Sequence, residues 1–328
     1  MLKERSSIFI VGAGQIGSRH LQALKGVVLP LSITVIDADP ESLKTARERY
    51  DSMPAGQSKH KINYTTKIIK NPKPIDLAIV ATCSDIRAKV TAELLKSSPV
   101  KYLVLEKILF NKKSDYEVMG RLIHKSKTAA WVNCARRMTP IYQKIEKYFK
   151  NKRISYIVTG SKYGLMSNAI HFLDHVAHIS GTTKFEIDTS GLDPRPVPSK
   201  RSRFLELNGT LVANFKNGSN LSLTCYPEGD APIMLEIHTD SARYIGRQSE
   251  GKGWMARADN GWVWEEIETP IPPQSQLTTI LTEKILTTGK CDLVPYSESK
   301  KIHLGMLEPL LSFLNKNSKK KYTLYPFT

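Results

Sequence analysis

The sequence predicts a two-part chain, α/β plus α+β: a parallel sheet wrapped by helices, then a mainly antiparallel open sheet. Three observations carry this. The first half alternates short apolar runs with helix-compatible segments, as in a sheet whose strands are buried on both faces. The run Ser7-Ile8-Phe9-Ile10-Val11 breaks into Gly12-Ala13-Gly14-Gln15-Ile16-Gly17, which reads as a strand, a tight turn and a helix start. In the second half, Asn208-Gly209, Asn217-Gly218 and Asn260-Gly261 punctuate strand-compatible segments such as Leu211 to Phe215 and Leu221 to Cys225, and Asn-Gly is the strongest short hairpin signal. A length of 328 residues is long for one hydrophobic core, so two domains are expected, at 1–128 and 129–328.

In the glycine turn each residue type has a physical reason. Gly12 permits the turn, Gly14 lets backbone approach a pyrophosphate, and Gly17 lets the helix pack on the strand. The phosphates would then sit on the helix N-terminus, at Gln15 and Ile16, which makes this a Rossmann dinucleotide-binding domain. The next strand, Ile33 to Asp37, ends in an acid 20 residues beyond Gly17. Asp37 would accept hydrogen bonds from a ribose diol and repel a 2′-phosphate, and Ala38-Asp39 adds no base to hold one. NAD is therefore expected over NADP.

The first domain continues with a helix from Pro40 to Tyr50, a polar loop from Asp51 to Lys61, and a buried strand from Ile75 to Thr82. Ligands lie at the carboxyl ends of such strands, so Ala81, Thr82 and Ser84 belong beside the cofactor. A helix from Ile86 to Ser97 and a strand from Lys101 to Leu105 lead to Glu106-Lys107. Charges directly after a buried strand either reach solvent or point into the cleft. Lys107 is thus a donor to a substrate hydroxyl, favouring its alkoxide, or one half of an ordinary loop ion pair with Glu106. A helix from Ser114 to Lys127, a strand from Ala130 to Asn133 and a helix from Pro140 to Lys150 complete this stretch. Arg136 and Arg137 fall in the turn before Pro140, either lining the cleft or solvated.

Composition narrows the function classes. No stretch reaches the roughly 18 apolar residues that span a membrane, and Met1 to Arg5 leads into a strand rather than a signal-peptide core, so a cytoplasmic protein starting near Met1 is expected. Cys83, Cys134, Cys225 and Cys291 lack paired spacing and read as buried thiols of a reducing compartment, with no zinc site. The net charge of +17 is concentrated: residues 1–160 hold 29 Lys+Arg against 13 Asp+Glu, the remainder 19 against 18. The excess raises encounter with an anionic dinucleotide, and its scattered lysines, without interleaved aromatics, argue against nucleic acid.

After the strand Ile154 to Thr159, the segment Ser167 to Gly181 reads as a helix, capped by Ser167 or Asn168 and ended by Gly181. His171, Asp174, His175 and His178 project along one side at 3.6 residues per turn. Three readings compete: a metal pair at His171 and His175, histidines satisfied by core or solvent, and a general base, His171, oriented by a carboxylate. Trp254, Trp262 and Trp264 form either a subunit interface or a surface covered by the domain's own helices. Lys162, Arg137 and the basic loop from Arg195 to Arg203 are candidates for an anionic substrate, or solvated.

Together, Gly12 to His20, Ala81-Thr82-Cys83-Ser84-Asp85, Leu105-Glu106-Lys107, Arg137-Met138-Thr139-Pro140 and His171-Phe172-Leu173-Asp174 resemble, in order and approximate spacing, the glucose-fructose oxidoreductase and inositol dehydrogenase family (Gfo/Idh/MocA). The resemblance covers nearly the whole chain. It implies NAD(P)-dependent oxidation or reduction of a sugar or polyol, and a dimer or tetramer through the C-terminal sheet. By resemblance Lys107 matches the lysine near the nicotinamide, with Glu106 beside it, and His171 matches the catalytic histidine. Asn168 and Asp174 become substrate contacts on the same helix. Three positions depart: Ile108 replaces a proline, where a cis bond would cost ~2.5–4 kcal/mol, Ser167 replaces an aspartate, and Arg87 replaces a histidine. These changes resemble those in members acting in surface-polysaccharide and modified-sugar pathways, and the basic residues Arg137, Lys162 and Arg195 to Arg203 lean towards a nucleotide-linked or acidic sugar. A dinucleotide-binding regulator or scaffold without catalysis is the alternative.

Overall fold

The computed structural model describes residues 5–71 and 73–328. In chain order it contains β1 (Ser6–Val11), α1 (Gln15–Leu24), β2 (Leu31–Ile36), α2 (Pro40–Asp51), β3 (Lys61–Thr65), β4 (Ile75–Val80), α3 (Ser84–Ser97), β5 (Val100–Leu105), α4 (Lys113–Lys125) and β6 (Ala129–Val132). These are followed by α5 (Pro140–Phe149), β7 (Ser155–Ser161), α6 (Leu165–Ser180), β8 (Phe185–Asp188), β9 (Val197–Pro198), β10 (Leu205–Glu206), β11 (Gly209–Phe215) and β12 (Asn220–Tyr226). The chain ends with β13 (Met234–His238), β14 (Ala242–Arg247), β15 (Lys252–Arg257), β16 (Glu265–Glu268), α7 (Gln274–Thr288), β17 (Val294–Pro295) and α8 (Tyr296–Asn317). It divides into two compact units, one running up to Asn133 and joined by Pro272–Ser297, the other formed by Cys134–Ile271 and Glu298–Thr328.

In the first unit seven strands run in the order β17-β6-β5-β4-β1-β2-β3, all pairs parallel except β17 with β6. The continuous apolar runs follow from burial on both faces: Ile8, Ile10, Leu77, Ile79, Leu103 and Val104 have no measurable exposure. β1 and β4 are neighbours although not consecutive, so the connections diverge there, the place where such sheets open a crevice at their carboxyl ends. Helix α2 starts as its sequence dictates, with Asp39 accepting from the Glu41 and Ser42 amides and Pro40 in the first turn. The loop expected through Lys61 ends one residue earlier, because Lys61 opens the edge strand β3. Its alternating Lys-Ile-Asn-Tyr-Thr pattern lacks the apolar run that marks the inner strands. Helix α7, from late in the chain, packs against α1, and Thr279 Oγ1 donates to the Ala23 carbonyl at 2.7 Å.

The second unit holds an eight-stranded sheet, β16-β15-β14-β13-β7-β12-β11-β8, antiparallel throughout except for β7 with β12. Strict alternation along β7 buries Tyr156, Val158 and Gly160 and leaves Ser155, Ile157, Thr159 and Ser161 half-buried. Helix α6 packs on this sheet at β12. Asn217-Gly218 turns β11 into β12, and Asn260-Gly261 lies in the turn from β15 to β16, as expected. Asn208-Gly209 corrects the hairpin reading: β10 pairs with β9 rather than β11, and Gly209, at φ +94°, starts β11 beside Leu192. The start of α6 is a second correction. It begins at Leu165 after Gly164, so Ser167 and Asn168 lie inside the helix and not at its cap. Gly181 does end it, in the left-handed region at φ +74°. Cys134 and Cys225 are buried, but Cys83 and Cys291 are only half-buried. Trp262 and Trp264 are exposed and Trp254 is half-buried. No helix among the described residues is long and apolar enough to cross a membrane.

Candidate active site

The carboxyl edge of the first sheet assembles itself from backbone. Past the strand ends, the amides of Gly12, Ala81, Glu106 and Asn133 donate to the carbonyls of Ile36, Val11, Val80 and Leu105, so these four residues continue the ladder in one row. The glycine turn is built as the sequence requires. Gly12 has φ +95°, and a Cβ on Gly17 would lie 1.7 Å from the Gly12 carbonyl oxygen. A Cβ on Gly14 would meet nothing within 4 Å, and no side chain caps α1. Among the described residues, then, no side chain takes up its first amides, as an anion site needs. Asp37 accepts from the Ala13 amide at 2.6 Å and from the Asp39 amide at 3.0 Å, which fixes its carboxylate at the end of β2. Ala81 and Thr82 are half-buried and Ser84 is buried at the start of α3. The Thr82 hydroxyl is buried with no partner among the described residues. These features fit a dinucleotide.

Next along the row, Glu106 is buried and Lys107 is the only residue from Leu103 to Phe110 that is not. The Glu106 carboxylate meets His20 Nε2 at 3.0 Å and the Asn133 amide nitrogen, while His20 Nδ1 meets Thr278 Oγ1 at 2.8 Å. Gln274 closes the network, accepting from Asn133 at 3.1 Å and donating to Thr278 at 2.9 Å. Burial alone would raise the Glu106 pKa, but the His20 bond and charge, the Asn133 bond and the Lys107 charge outweigh it and hold it at about 2. The carboxylate is thus ionised at neutral pH, and His20 Nε2 must carry its proton toward it. The peptide bond from Lys107 to Ile108 is cis.

In the second unit α6 is buried along its whole length except at Ser167, Asn168, His171 and His178, which are half-buried. Ser167 and Asn168 lie four and three residues before His171, so the three form one polar stripe. Asn168 donates to the carbonyls of Tyr163 and Gly164 at 2.6 and 3.0 Å. Glu206, from β10, caps the helix from outside: its carboxylate accepts from the Met166 amide at 2.7 Å, the Ser167 amide at 3.2 Å and the Ser167 hydroxyl. Asp174 is 1% exposed and takes Arg137 in bidentate fashion, both bonds 2.8 Å, with Glu298 at 2.5 Å on the same guanidinium. Burial would weaken the Arg137 proton, but the two carboxylates hold it more firmly than usual. His175 is buried against the Tyr156 hydroxyl at 2.9 Å, and burial, with Arg136 nearby, keeps it neutral. His178 meets Glu146 at 3.4 Å. The four side chains expected along one side of the helix therefore have four different environments.

Lys162 is exposed, with φ +51°, and Arg195, Lys200, Arg201 and Arg203 are exposed as well. Among the described residues no group of three or more His, Cys, Asp or Glu side chains is placed to hold a metal ion. Sequence reasoning passed over His20, Asn133, Gln274, Thr278, Glu206 and Glu298. Only His20 carried a local signal, lying three residues after Gly17 on the opening helix; the others arrive through long-range packing.

No family model matches the chain, and no curated protein matches it in sequence. Solved structures do. Levoglucosan dehydrogenase in complex with NADH and L-sorbose superposes with a TM-score of 0.70 over 99% of this chain and 100% of its own, at 15% identity. The UDP-N-acetylglucosamine 3-dehydrogenase GnnA from Acidithiobacillus ferrooxidans gives 0.71 over 96% and 100%, at 11% identity. KijD10, a 3-ketoreductase from Actinomadura kijaniata in complex with NADP, gives 0.66 over 92% and 95%, at 14% identity. The chain shares the two-part fold of these solved structures.

Proposed function

We propose that this protein is an NAD(P)-dependent oxidoreductase that moves a hydride between a nicotinamide and a hydroxyl or keto carbon of a sugar or sugar derivative. The observation that carries this reading is the carboxyl edge of the first sheet, where the open Gly14 turn, Asp37 and the half-buried Lys107 follow one another. Gly12, Gly14, Gln15, Ile16, Gly17, Asp37, Ala81, Thr82, Ser84 and Glu106 would hold the dinucleotide, with NAD preferred. When bound, the cofactor supplies the hydride acceptor or donor.

The chain's own residues do the rest. The Lys107 ammonium donates to the reacting oxygen and favours its alkoxide character. The His171 imidazole takes the hydroxyl proton or returns it. Asn168, beside His171 on the polar stripe, orients the sugar, while Arg137 and Asp174 hold one another through two hydrogen bonds. Lys162 and the basic loop from Arg195 to Arg203 favour a sugar that is acidic or linked to a nucleotide diphosphate. The exposed Trp262, Val263 and Trp264 suit assembly of the second unit with copies of itself.

A panel of neutral, acidic and nucleotide-linked sugars, each with NAD and NADP, tests the reading through the nicotinamide absorbance. Turnover of a charged sugar, with a KM that rises with salt, supports it. Tight dinucleotide binding without turnover of any sugar leaves the regulatory alternative.

A further inference from the structure

We propose that Arg87 is the positioning residue for Lys107: its buried guanidinium gathers carbonyls from two separate crossovers and fixes the segment that carries the ammonium. The inference rests on the reading that Lys107 acts at the reacting oxygen.

Arg87 lies in the first turn of α3 and is 1% exposed. One terminal nitrogen donates to the carbonyls of Ile108 and Leu109, the second at 2.9 Å, and the other donates to the Thr82 carbonyl. Thr82 follows β4, whereas Ile108 and Leu109 follow β5, so one side chain ties together the two turns at the carboxyl edge of the sheet. The Asn111 amide, donating to the Ser84 carbonyl at 3.2 Å, is a second tie between the same two segments.

Burying a guanidinium is unfavourable, and an apolar side chain would fill the same volume without that penalty. What the guanidinium adds is a rigid planar fork that sets the distance between its acceptors, which the point charge of a lysine does not do. The other flank of Lys107 is equally constrained. Glu106 is held by His20 and Asn133 from α1 and the end of β6. Lys107 is therefore the one half-buried residue in a pinned segment, and its long flexible stem starts from a Cα placed by buried polar groups on both sides. A shift of that starting point by about 1 Å is enough to cost ~10²-fold in rate where geometry sets the chemistry.

The test uses the purified full-length chain with Arg87→Lys and Arg87→Met. Hydrogen exchange read by mass spectrometry follows segments 81–88 and 105–112 against β1 and α1. Turnover and NAD affinity are measured alongside. In Arg87→Lys, exchange in those two segments should accelerate roughly tenfold or more with β1 and α1 unchanged, and kcat should fall roughly tenfold or more at a sugar KM within about threefold. Arg87→Met should be more severe in the same sense. If Arg87→Met does not fold, Arg87→Lys decides alone. Unchanged local exchange, acceleration spread evenly through the unit, or normal kcat despite a loosened segment would each overturn the proposal. Should the wild type turn over no sugar, the exchange pattern still judges the clamp, and only the role of Lys107 fails.

Discussion

Lowering the pH should weaken the first unit through one identifiable group, Glu106. Its folded-state pKa of about 2, against the ordinary 4.5, arises because His20, Asn133 and the Lys107 charge together outweigh burial. Between these two values the unfolded chain binds more protons than the native one, so stability rises with pH there. The contribution is complete above pH 4.5 and is lost as pH falls toward 2. The full shift corresponds to about 3 kcal/mol, of which about 2 kcal/mol should be gone by pH 3. Because the carboxylate is buried, solvent screening removes little of this. The assay is urea unfolding of wild type and Glu106→Gln at several pH values from 7 to 3, followed at peptides of the first unit by pulsed hydrogen exchange. The wild-type advantage over Glu106→Gln should shrink by about 2 kcal/mol across that range. Parallel pH profiles for the two proteins would refute the reasoning, since they would mean that Glu106 titrates alike in both states.

Three further outcomes are expected. NAD should bind roughly tenfold or more tightly than NADP by calorimetry, and Asp37→Ser should narrow the gap; equal affinities in the wild type would remove Asp37 from cofactor choice. His171→Ala and Lys107→Met should each lower kcat by roughly 10²-fold or more with NAD affinity nearly intact, and near-normal turnover in both would return them to structural roles. Arg137→Ala should destabilise the second unit by roughly 3–5 kcal/mol, because it leaves Asp174 buried without its partner. Replacing the pair together, Arg137→Met with Asp174→Leu, should recover much of that loss in the same urea titration.

Local chemistry determined what could be read from the sequence by itself. Glycine at positions 12 and 17 is demanded by the turn and by helix packing within a few residues, so the glycine turn was legible, as were the buried parallel strands and the helix bearing His171. Two of the three Asn-Gly turns were legible for the same reason. Asn208-Gly209 was not, because the partner of β10 is β9 and nothing local names it. Pairing over distance belonged to the tertiary structure alone. Glu106 beside Lys107 reads equally well as a loop ion pair until His20, Asn133, Gln274 and Thr278 arrive from three other places in the chain. Asp174 reads as a carboxylate that orients His171 or binds substrate, and only the packing brings Arg137 to both its oxygens. Arg87 reads only as a departure from the family's histidine until three carbonyls from two crossovers close around it. Periodicity and turn propensity are properties of neighbouring residues, whereas the partner of a buried charge is chosen by the packing that excludes water from it.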